Sequence, residues 1–277
     1  MSKTKAPLRV LMAFSEVVPF AKTGGLADVG GALPRALSEL GCEVHIVMPL
    51  YNRFLGDLMA GDPVVEDLPV PLGSQIIEAD VYREELSENL DVYFIRRDEF
   101  FDRTYLYGTP KADYIDNAQR FIYFCRAVSA LIQSTKFQPA VVHCHDWQCG
   151  LIPAYLNVAQ ADDAYLARTI SVFTIHNIAY QGQFAAELFP LTGLPDYFFG
   201  MDGMEFWGGM NLMKAGIMAA DVVTTVSPRY SQETQTKEYG QGLEDVLRGQ
   251  RHKLHGIING VDYKEWNPET DKYIAAN

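Results

Sequence analysis

The sequence predicts an α/β protein with a Rossmann-like, doubly wound and mostly parallel sheet. Three observations predict it: strand and helix signals alternate along the chain, about the first fifty residues form a βαβ pattern, and polar motifs follow directly after several apolar strands. In sheets of this class, ligands bind at the carboxyl ends of the strands. The polar motifs are therefore the first candidates for a functional site.

The βαβ pattern begins with an apolar run over Leu8–Phe14, which predicts a buried strand. A loop containing Gly24 and Gly25 follows, and apolar residues spaced for one helix face then extend from Leu26 to Leu40. Glu43–Pro49 predicts a second buried strand. A strand–helix–strand succession of this kind implies parallel pairing with a right-handed crossover.

The middle of the chain has shorter and less apolar strand signals. Gln75–Tyr82 and Asp91–Ile95 are half-buried strand candidates separated by Pro, Gly and Asn, and they predict a β-meander within the same sheet. An amphipathic pattern over Ile115–Ile132 then predicts a long helix.

The second half of the chain returns to buried strands that alternate with helices. Short apolar strands are predicted at Ala140–His143, Thr169–Ile175 and Asp221–Val226, with helices at Gly150–Ala159 and Asn211–Ala220. This alternation extends the doubly wound sheet.

Composition excludes several classes of function. With 35 acidic and 23 basic residues the net charge is -12, which repels nucleic acid and anionic lipid surfaces. No stretch is long enough to span a membrane, and the first apolar run is too short for a signal peptide. Four scattered cysteines are typical of reduced thiols, so we expect a cytoplasmic protein without a membrane or nucleic-acid partner: Cys42, Cys125, Cys144 and Cys149.

The first polar motif is the loop Lys22-Thr23-Gly24-Gly25 between the first strand and its helix. Adjacent glycines allow close backbone approach, and a helix N-terminus with a lysine beside it is suited to an anion. An ordinary loop with a solvated lysine is the competing interpretation. The spacing fits neither the dinucleotide-binding fingerprint nor the phosphate-binding loop of nucleotide triphosphatases.

The second and third polar motifs follow two later strands, at His143–Trp147 and His176–Gly182. Asp146 and His176 would emerge at one edge of the sheet, although Asp146 could instead cap the next helix and His176 could be structural. His143 could equally be a hydrogen-bonded core histidine. A zinc site formed by the histidines and cysteines of this strand is disfavoured, because alternate residues of a strand face opposite ways.

Other patterns carry less information. Ser227-Pro228 resembles a helix start, and Asn259-Gly260 resembles a turn between Ile257-Ile258 and Val261. Adjacent acidic pairs are typical of solvated surfaces and receive no role. The sequence contains neither a D-x-D triplet nor a G-x-S-x-G elbow.

Seven motifs, taken together and in order, resemble those of bacterial glycogen synthases and plant starch synthases. The resemblance extends from about Leu8 to Trp266. It implies the N-terminal half of a GT-B fold and retaining transfer of glucose from ADP-glucose to the non-reducing end of an α-1,4-glucan, without a metal or other cofactor. The motifs are Lys22–Pro34, His143–Trp147, His176–Gly182, Asn211–Gly216, Thr225–Pro228, Gly242–Glu244 and Ile258–Asp262.

The same resemblance implies roles for individual residues. Lys22, Asp146 and His176 would be catalytic, with Lys22 facing the donor phosphates and the other two steadying the sugar in an oxocarbenium-like state. The remaining positions would bind substrate: Gly24, Gly25 and Asn259 on the donor side, and Asp28, Tyr114 and Asn177 on the sugar or acceptor side.

The resemblance also implies that residues 1–277 are the N-terminal catalytic domain and that the nucleotide-binding C-terminal domain lies outside this sequence. We therefore expect little or no turnover by the chain alone, and either pairing with a separate C-terminal domain or self-association through the exposed face. A non-catalytic glucan-binding or regulatory module is the alternative. A nucleotide-dependent oxidoreductase is disfavoured, because the glycines are adjacent rather than spaced.

Overall fold

The computed structural model describes residues 6–51, 61–135, 137–261 and 266–274. Its centre is a nine-stranded sheet in the order β14-β13-β9-β8-β1-β2-β5-β4-β3. The seven strands from β14 to β5 pair in parallel, and β4 and β3 complete one side as antiparallel strands. The predicted doubly wound, mostly parallel α/β sheet is confirmed.

The strands are β1 (Arg9–Ala13), β2 (Glu43–Pro49), β3 (Val65–Leu72), β4 (Gln75–Ser87), β5 (Leu90–Arg96), β6 (Gly108–Thr109), β7 (Ala112–Asp113), β8 (Val141–His145), β9 (Ile170–Ile175), β10 (Gln183–Ala185), β11 (Glu205–Phe206), β12 (Gly209–Asn211), β13 (Val222–Thr225) and β14 (Leu254–Gly256). The α-helices are α1 (Gly25–Glu39), α2 (Asp98–Phe101), α3 (Asn117–Ser134), α4 (Ile152–Gln160), α5 (Leu212–Ala219), α6 (Pro228–Glu233) and α7 (Glu244–Gly249). Strands β10, β12 and β11 form a small separate sheet, and β6 pairs with β7.

The predicted elements of the first unit are confirmed with small changes at their ends. β2 covers the predicted range, and Ala13 of β1 lies opposite Val47 of β2 in parallel register. Helix α1 begins one residue earlier than predicted, with Gly24 as its extended N-cap. A side chain at Gly30 would meet Val17 and the Glu16 carbonyl at 3.0 and 3.1 Å, so this glycine lets the helix pack against the loop that leaves β1.

The predicted meander is also confirmed, but β4 is longer than the sequence indicated. It continues to Ser87, with Arg83 opposite Tyr93 of β5. The charged residues Arg83–Glu85 suggested an end to the strand, yet they stay paired because one face of this part of the sheet is open to solvent.

The chain direction reverses around β1. From β1 the chain builds outward through β2 and β5, and it later returns to the other side of β1 to add β8, β9, β13 and β14. The loops that follow β1 and β8 therefore leave adjacent strands in different directions. Such a switch point opens a crevice at the carboxyl edge of the sheet, which is where this fold class binds ligands.

Two predictions about loop residues have opposite outcomes. Ser227 caps α6 as predicted, because its hydroxyl accepts a hydrogen bond from the Tyr230 amide at 2.9 Å and Pro228 occupies the first turn. The predicted turn at Asn259-Gly260 is wrong. The exposed segment 257–261 continues past β14 in an irregular conformation, with no returning strand beside it in the described part of the chain, and Asp262 lies outside the described residues.

The described helices include none with the length and apolar character needed to cross a membrane. The four cysteines are unpaired, and three of them are buried: Cys125, Cys144 and Cys149.

Candidate functional site

The loop after β1 contains a buried carboxylate that its sequence did not reveal. Glu16 is only 3% exposed, and its Oε2 accepts hydrogen bonds from the amide and hydroxyl of Thr23 at 2.6 and 2.7 Å. The Gly24 amide also stabilises this carboxylate. Burial nevertheless raises the pKa of Glu16 above its ordinary value. The Glu16 carboxylate therefore already binds the amides of Thr23 and Gly24 from inside the loop. The sequence had suggested that the amides of this loop are available to an anion.

Lys22 lies on the outside of the same loop. Its side chain is 47% exposed, and its Nζ donates a hydrogen bond to Asp28 Oδ1 at 2.6 Å in the first turn of α1. An exposed ion pair of this kind contributes only about 0–1 kcal/mol. The ion pair with Asp28 therefore adds little to the stability of the fold.

Asp146 has the most unusual backbone conformation in the region. It follows β8 directly and has φ 56 and ψ -179, a combination that is almost confined to glycine. Its Oδ1 accepts hydrogen bonds from the amides of His176 and Asn177 at 2.8 and 3.4 Å, across the neighbouring strand end. The side chain makes no capping bond to the 3-10 helix that follows, so the capping interpretation is wrong.

Burial also controls the charge of Asp146. The side chain is removed from water, which raises its pKa to about 7, and the nearby charge of Glu16 acts in the same direction, while the two amide hydrogen bonds oppose the shift. The carboxyl is therefore near the midpoint of its titration at neutral pH. A positive or polar ligand in the crevice would favour its ionised form.

Three histidines form a contiguous group under Asp146. His176 Nε2 lies 3.0 Å from His145 Nδ1, and the His145 ring lies 4.0 Å from that of His143. His143 Nε2 hydrogen-bonds the Thr174 hydroxyl at 2.6 Å, which confirms the interpretation of His143 as a hydrogen-bonded core histidine. Phe14 stacks on His145 with ring centroids 3.9 Å apart.

Burial keeps these histidines neutral. It lowers the pKa of His143 to about 3 and that of His176 to about 4, and it places the pKa of His145 well below its ordinary value. At neutral pH each ring therefore offers one N–H donor and one acceptor nitrogen. Over the described ranges, no group of three or more His, Cys, Asp or Glu side chains is arranged to hold a metal ion.

The loop after β9 is held by contacts with α6, within itself and with the loop after β8. The Ile178 amide donates to the Tyr230 hydroxyl at 3.0 Å, and Asn177 Oδ1 accepts from the Ala179 amide at 3.0 Å. Gly182 has φ +63, and a Cβ there would lie 2.3 Å from Trp147. Only glycine allows this backbone to rest on the indole, so the second and third polar motifs are packed into one unit.

Tyr114 is connected to the loop after β1 through a neighbouring tyrosine. Its amide donates to the Tyr107 carbonyl at 3.0 Å, and the buried Tyr107 hydroxyl hydrogen-bonds Ser15 at 2.7 Å. The Tyr114 ring lies beneath the guanidinium groups of Arg103 and Arg120, at 4.7 and 5.1 Å. Tyr114 therefore borders the crevice on the side of Glu16.

The structure places the predicted site residues at different distances from one another. Asp146, His176 and Asn177 are in direct contact, and Lys22, Gly24, Gly25 and Asp28 form the adjoining loop and helix start. Asn259 lies three residues beyond the end of β14, and two strands separate β14 from β8 in the sheet. At strand spacings of about 4.8 Å, β14 and β8 lie roughly 14 Å apart.

The comparison with known families decides which proteins this chain is related to. The model of the family described as "Starch synthase catalytic domain" matches residues 9–249, which is most of the chain. The chain belongs to this family.

Individual starch synthase family members agree with this assignment and confirm the resemblance. The chain is 45% identical over 270 residues to glycogen synthase 2 of Geobacter sulfurreducens and 47% identical over 271 residues to the glycogen synthase of Koribacter versatilis. These alignments cover 98% and 97% of the chain but only 56% and 55% of the relatives. The chain thus spans a little over half the length of the curated relatives that it matches.

A solved structure of a starch synthase family member has the same fold. The catalytic domain of starch synthase IV from Arabidopsis thaliana, bound to ADP and acarbose, superposes with a TM-score of 0.84 at 32% identity. The superposition covers 98% of this chain and 55% of that one.

Sequence reasoning did not single out three residues of the candidate site. Glu16 and Tyr107 received no role, and His145 was weighed individually only as a zinc ligand. Glu16 directly follows a buried strand and precedes the glycine loop, which is a signal that could have identified it. Tyr107 carries no local signal, because its contact with Ser15 joins positions 92 residues apart.

Proposed function

We propose that this chain forms the acceptor and sugar half of a glycogen or starch synthase. In this proposal the complete enzyme transfers glucose from ADP-glucose to the non-reducing end of an α-1,4-glucan with retention of configuration. The observation that carries the proposal is the hydrogen-bonded Asp146–His176–Asn177 cluster at the switch point of the sheet, in a chain of the starch synthase catalytic domain family. The names of the relatives, and the ADP and acarbose bound to starch synthase IV, support the substrates.

Lys22 acts on the donor phosphates. Its ammonium group lies at the surface beside the start of α1, where Gly24 and Gly25 keep side chains away from an incoming diphosphate. As the bond to the sugar breaks, negative charge grows on the phosphate, and a cation held at that point stabilises the transition state more than the ground state. When the donor binds, its phosphate replaces Asp28 as the ion-pair partner of Lys22.

Asp146 and His176 act on the transferred glucose. Neutral His176 and the Asp146 carboxyl group hydrogen-bond its hydroxyls, and the ionised form of Asp146 steadies the positive charge of an oxocarbenium-like state. The strained backbone at Asp146 supports this role, because such strain persists chiefly at functional sites. Asn177 and Tyr114 border the acceptor path, and Asn259 reaches the donor only through the larger assembly.

We assign no metal or organic cofactor to this mechanism. Lys22 and basic groups outside this chain neutralise the charge of the diphosphate. Transfer by the complete enzyme should accordingly be unchanged by excess EDTA, and loss of transfer that Mg²⁺ restores would contradict this assignment.

A second domain completes the enzyme in this proposal, and residues 1–277 supply the N-terminal one. Large apolar side chains near the end of the described chain are exposed, which supports a covering partner there: Ile257, Ile258, Val261, Trp266 and Tyr273. We place the reaction in the cytoplasm, which the free cysteines support. Self-association is the alternative use of this surface, and a monomer mass by light scattering at high concentration would exclude it.

The test is glucose transfer from ADP-glucose to glycogen by three preparations: the chain alone, the chain with a separately expressed second domain, and a chimera. The chimera joins this chain to the part of the Geobacter sulfurreducens enzyme that it does not cover, and Lys22→Ala is the control in each preparation. We expect transfer only when the second domain is present. Transfer by the chain alone would contradict the division of the site, and glucan binding without transfer in all three would favour a binding module.

A further inference from the structure

The hydrogen bond between His145 and His176 leaves one nitrogen of His145 without a partner. His145 is fully buried, and its Nδ1 lies 3.0 Å from His176 Nε2. Its other nitrogen, Nε2, is enclosed and has no hydrogen-bond partner within the described parts of the chain. Phe14 stacks on the ring of His145, and the His143 ring lies against it at an angle, so His145 is enclosed between two other rings.

Two proton arrangements satisfy the contact between the rings, and they differ in what remains buried. If His176 Nε2–H donates, then neutral His145 carries its proton on Nε2, and an N–H donor is buried without an acceptor. If His145 Nδ1–H donates, His145 Nε2 carries no proton, and only its lone pair is buried without a partner. Orphaned buried N–H groups are rarer in proteins than under-satisfied acceptors, so the second arrangement is favoured.

We propose that His145 is a positioning residue that holds neutral His176 as its Nδ1–H tautomer. With its Nε2 accepting from His145, the single proton of His176 is on Nδ1, a nitrogen that makes no hydrogen bond to the described residues. His176 then presents a fixed N–H donor to the crevice instead of an acceptor. Given the proposed function, that donor meets a hydroxyl oxygen of the transferred glucose.

The arrangement explains why a histidine is used at position 145. Donation from Nδ1 requires a ring or an amide at this depth, and the stack on Phe14 requires a flat group. His145→Asn keeps an N–H close to the position of Nδ1, whereas His145→Phe keeps the stack and removes the donor. Comparing these two variants distinguishes the effect of losing the N–H donor, which sets the tautomer of His176, from the effect of changing the packing.

The direct test is nitrogen-15 NMR of the histidine side chains of the free chain at neutral pH, which distinguishes protonated from bare ring nitrogens. We expect His176 to be protonated at Nδ1 in the wild type and in His145→Asn, and to populate both tautomers in His145→Phe. A wild-type His176 protonated at Nε2, or exchanging between tautomers, would overturn the proposal. The wild-type spectrum decides this even if His145→Phe fails to fold.

Transfer by the chimera gives a second readout. His145→Phe should lower kcat by about tenfold with little change in KM, which corresponds to one lost positioned hydrogen bond, and His145→Asn should restore most of it. Equal loss in both variants would mean that His145 serves packing alone. A chimera without any transfer would contradict the proposed function, whereas the tautomer in the free chain would still be measured.

Discussion

The two halves of the candidate site are built in opposite ways. The loop after β1 presents Lys22 at the surface, where an exposed carboxylate is its partner. The ends of β8 and β9 bury Asp146, half-bury His176 and connect the two through backbone amides and a second histidine. In the proposed function, this contrast means that the sugar side is organised within this chain, whereas the phosphate side is ordered by the ligand that binds it.

The physical reason is the number of elements that hold each group. Asp146 directly follows β8, and its hydrogen bonds join the ends of the adjacent parallel strands β8 and β9. Lys22 lies on a single loop, and its exposed side chain forms an ion pair with Asp28. A group held by two strands is positioned before the substrate arrives, whereas a long side chain on a single loop is ordered by its ligand.

Replacement of Asp146 should have the largest effect and tests the organised half directly. Asp146→Asn keeps an oxygen for the two amides but removes the charge, so we expect about a 1000-fold loss of transfer by the chimera with little loss of stability. Asp146→Ala should lose transfer similarly and also destabilise the chain by about 1–3 kcal/mol, because two buried amides lose their acceptor. Transfer assays and urea denaturation check these values.

The strained backbone at Asp146 also predicts how substitutions at this position change the free energy of unfolding. Glycine adopts φ 56 without strain, so Asp146→Gly should be more stable than Asp146→Ala by about 1–2 kcal/mol, the reverse of the usual order. Equal stability of the two variants would show that the loop relaxes when the carboxylate is removed.

Replacement of Lys22 tests the exposed half. Lys22→Ala should reduce transfer by about 100-fold, because it removes a cation that opposes growing phosphate charge. The melting temperature should stay the same, since exposed ion pairs contribute little. The exposed Lys237→Ala is a matched control that should change neither quantity. A large fall in melting temperature would mean that Lys22 is structural.

Acid should destabilise the chain through its buried and half-buried histidines. Burial lowers the pKa of four histidines below 6.5, so their unfolded forms bind more protons, and stability falls as the pH drops from about 6.5 toward 4. The raised pKa values of Asp146 and Glu16 act in the opposite direction, because these two carboxyls bind protons more readily in the folded state. The histidines outnumber them, so the loss of stability prevails. The histidines are His45, His143, His145 and His176.

Each further proton that the unfolded state binds lowers the unfolding free energy by about 1.4 kcal/mol per pH unit. Urea denaturation at pH 7 and pH 5 measures the fall in unfolding free energy. His176→Gln should weaken the pH dependence, because it removes one of the four histidines. Higher stability at pH 5 than at pH 7 would contradict the burial of neutral histidines.

The smallest expected effect concerns the partner of Lys22. Asp28→Asn removes a charge that competes with the donor phosphates, so ADP should bind the chimera about two- to threefold more tightly, in keeping with the modest value of an exposed ion pair. Calorimetric titration is the measurement. Weaker ADP binding in this variant would instead assign Asp28 a direct role in the site.

The sequence was most informative where neighbouring strands decide the outcome. Polar residues after two apolar strands led to the expectation that Asp146 and His176 share an edge, and parallel pairing of β8 with β9 brings them together. It was least informative where the result depends on a single dihedral angle or a distant contact. The positive φ of Asp146 made it a link between strands rather than a helix cap, and the burial of Glu16 depends on packing that no local pattern encodes.

The division of labour between the two halves is tested most directly by calorimetry on the chimera with ADP and with ADP-glucose. Lys22→Ala should weaken both ligands by the same factor, because both carry the diphosphate. Asp146→Asn should weaken the binding of ADP-glucose and leave that of ADP unchanged, because the proposed function has Asp146 contact only the sugar. Equal weakening of ADP and ADP-glucose by Asp146→Asn would contradict the account.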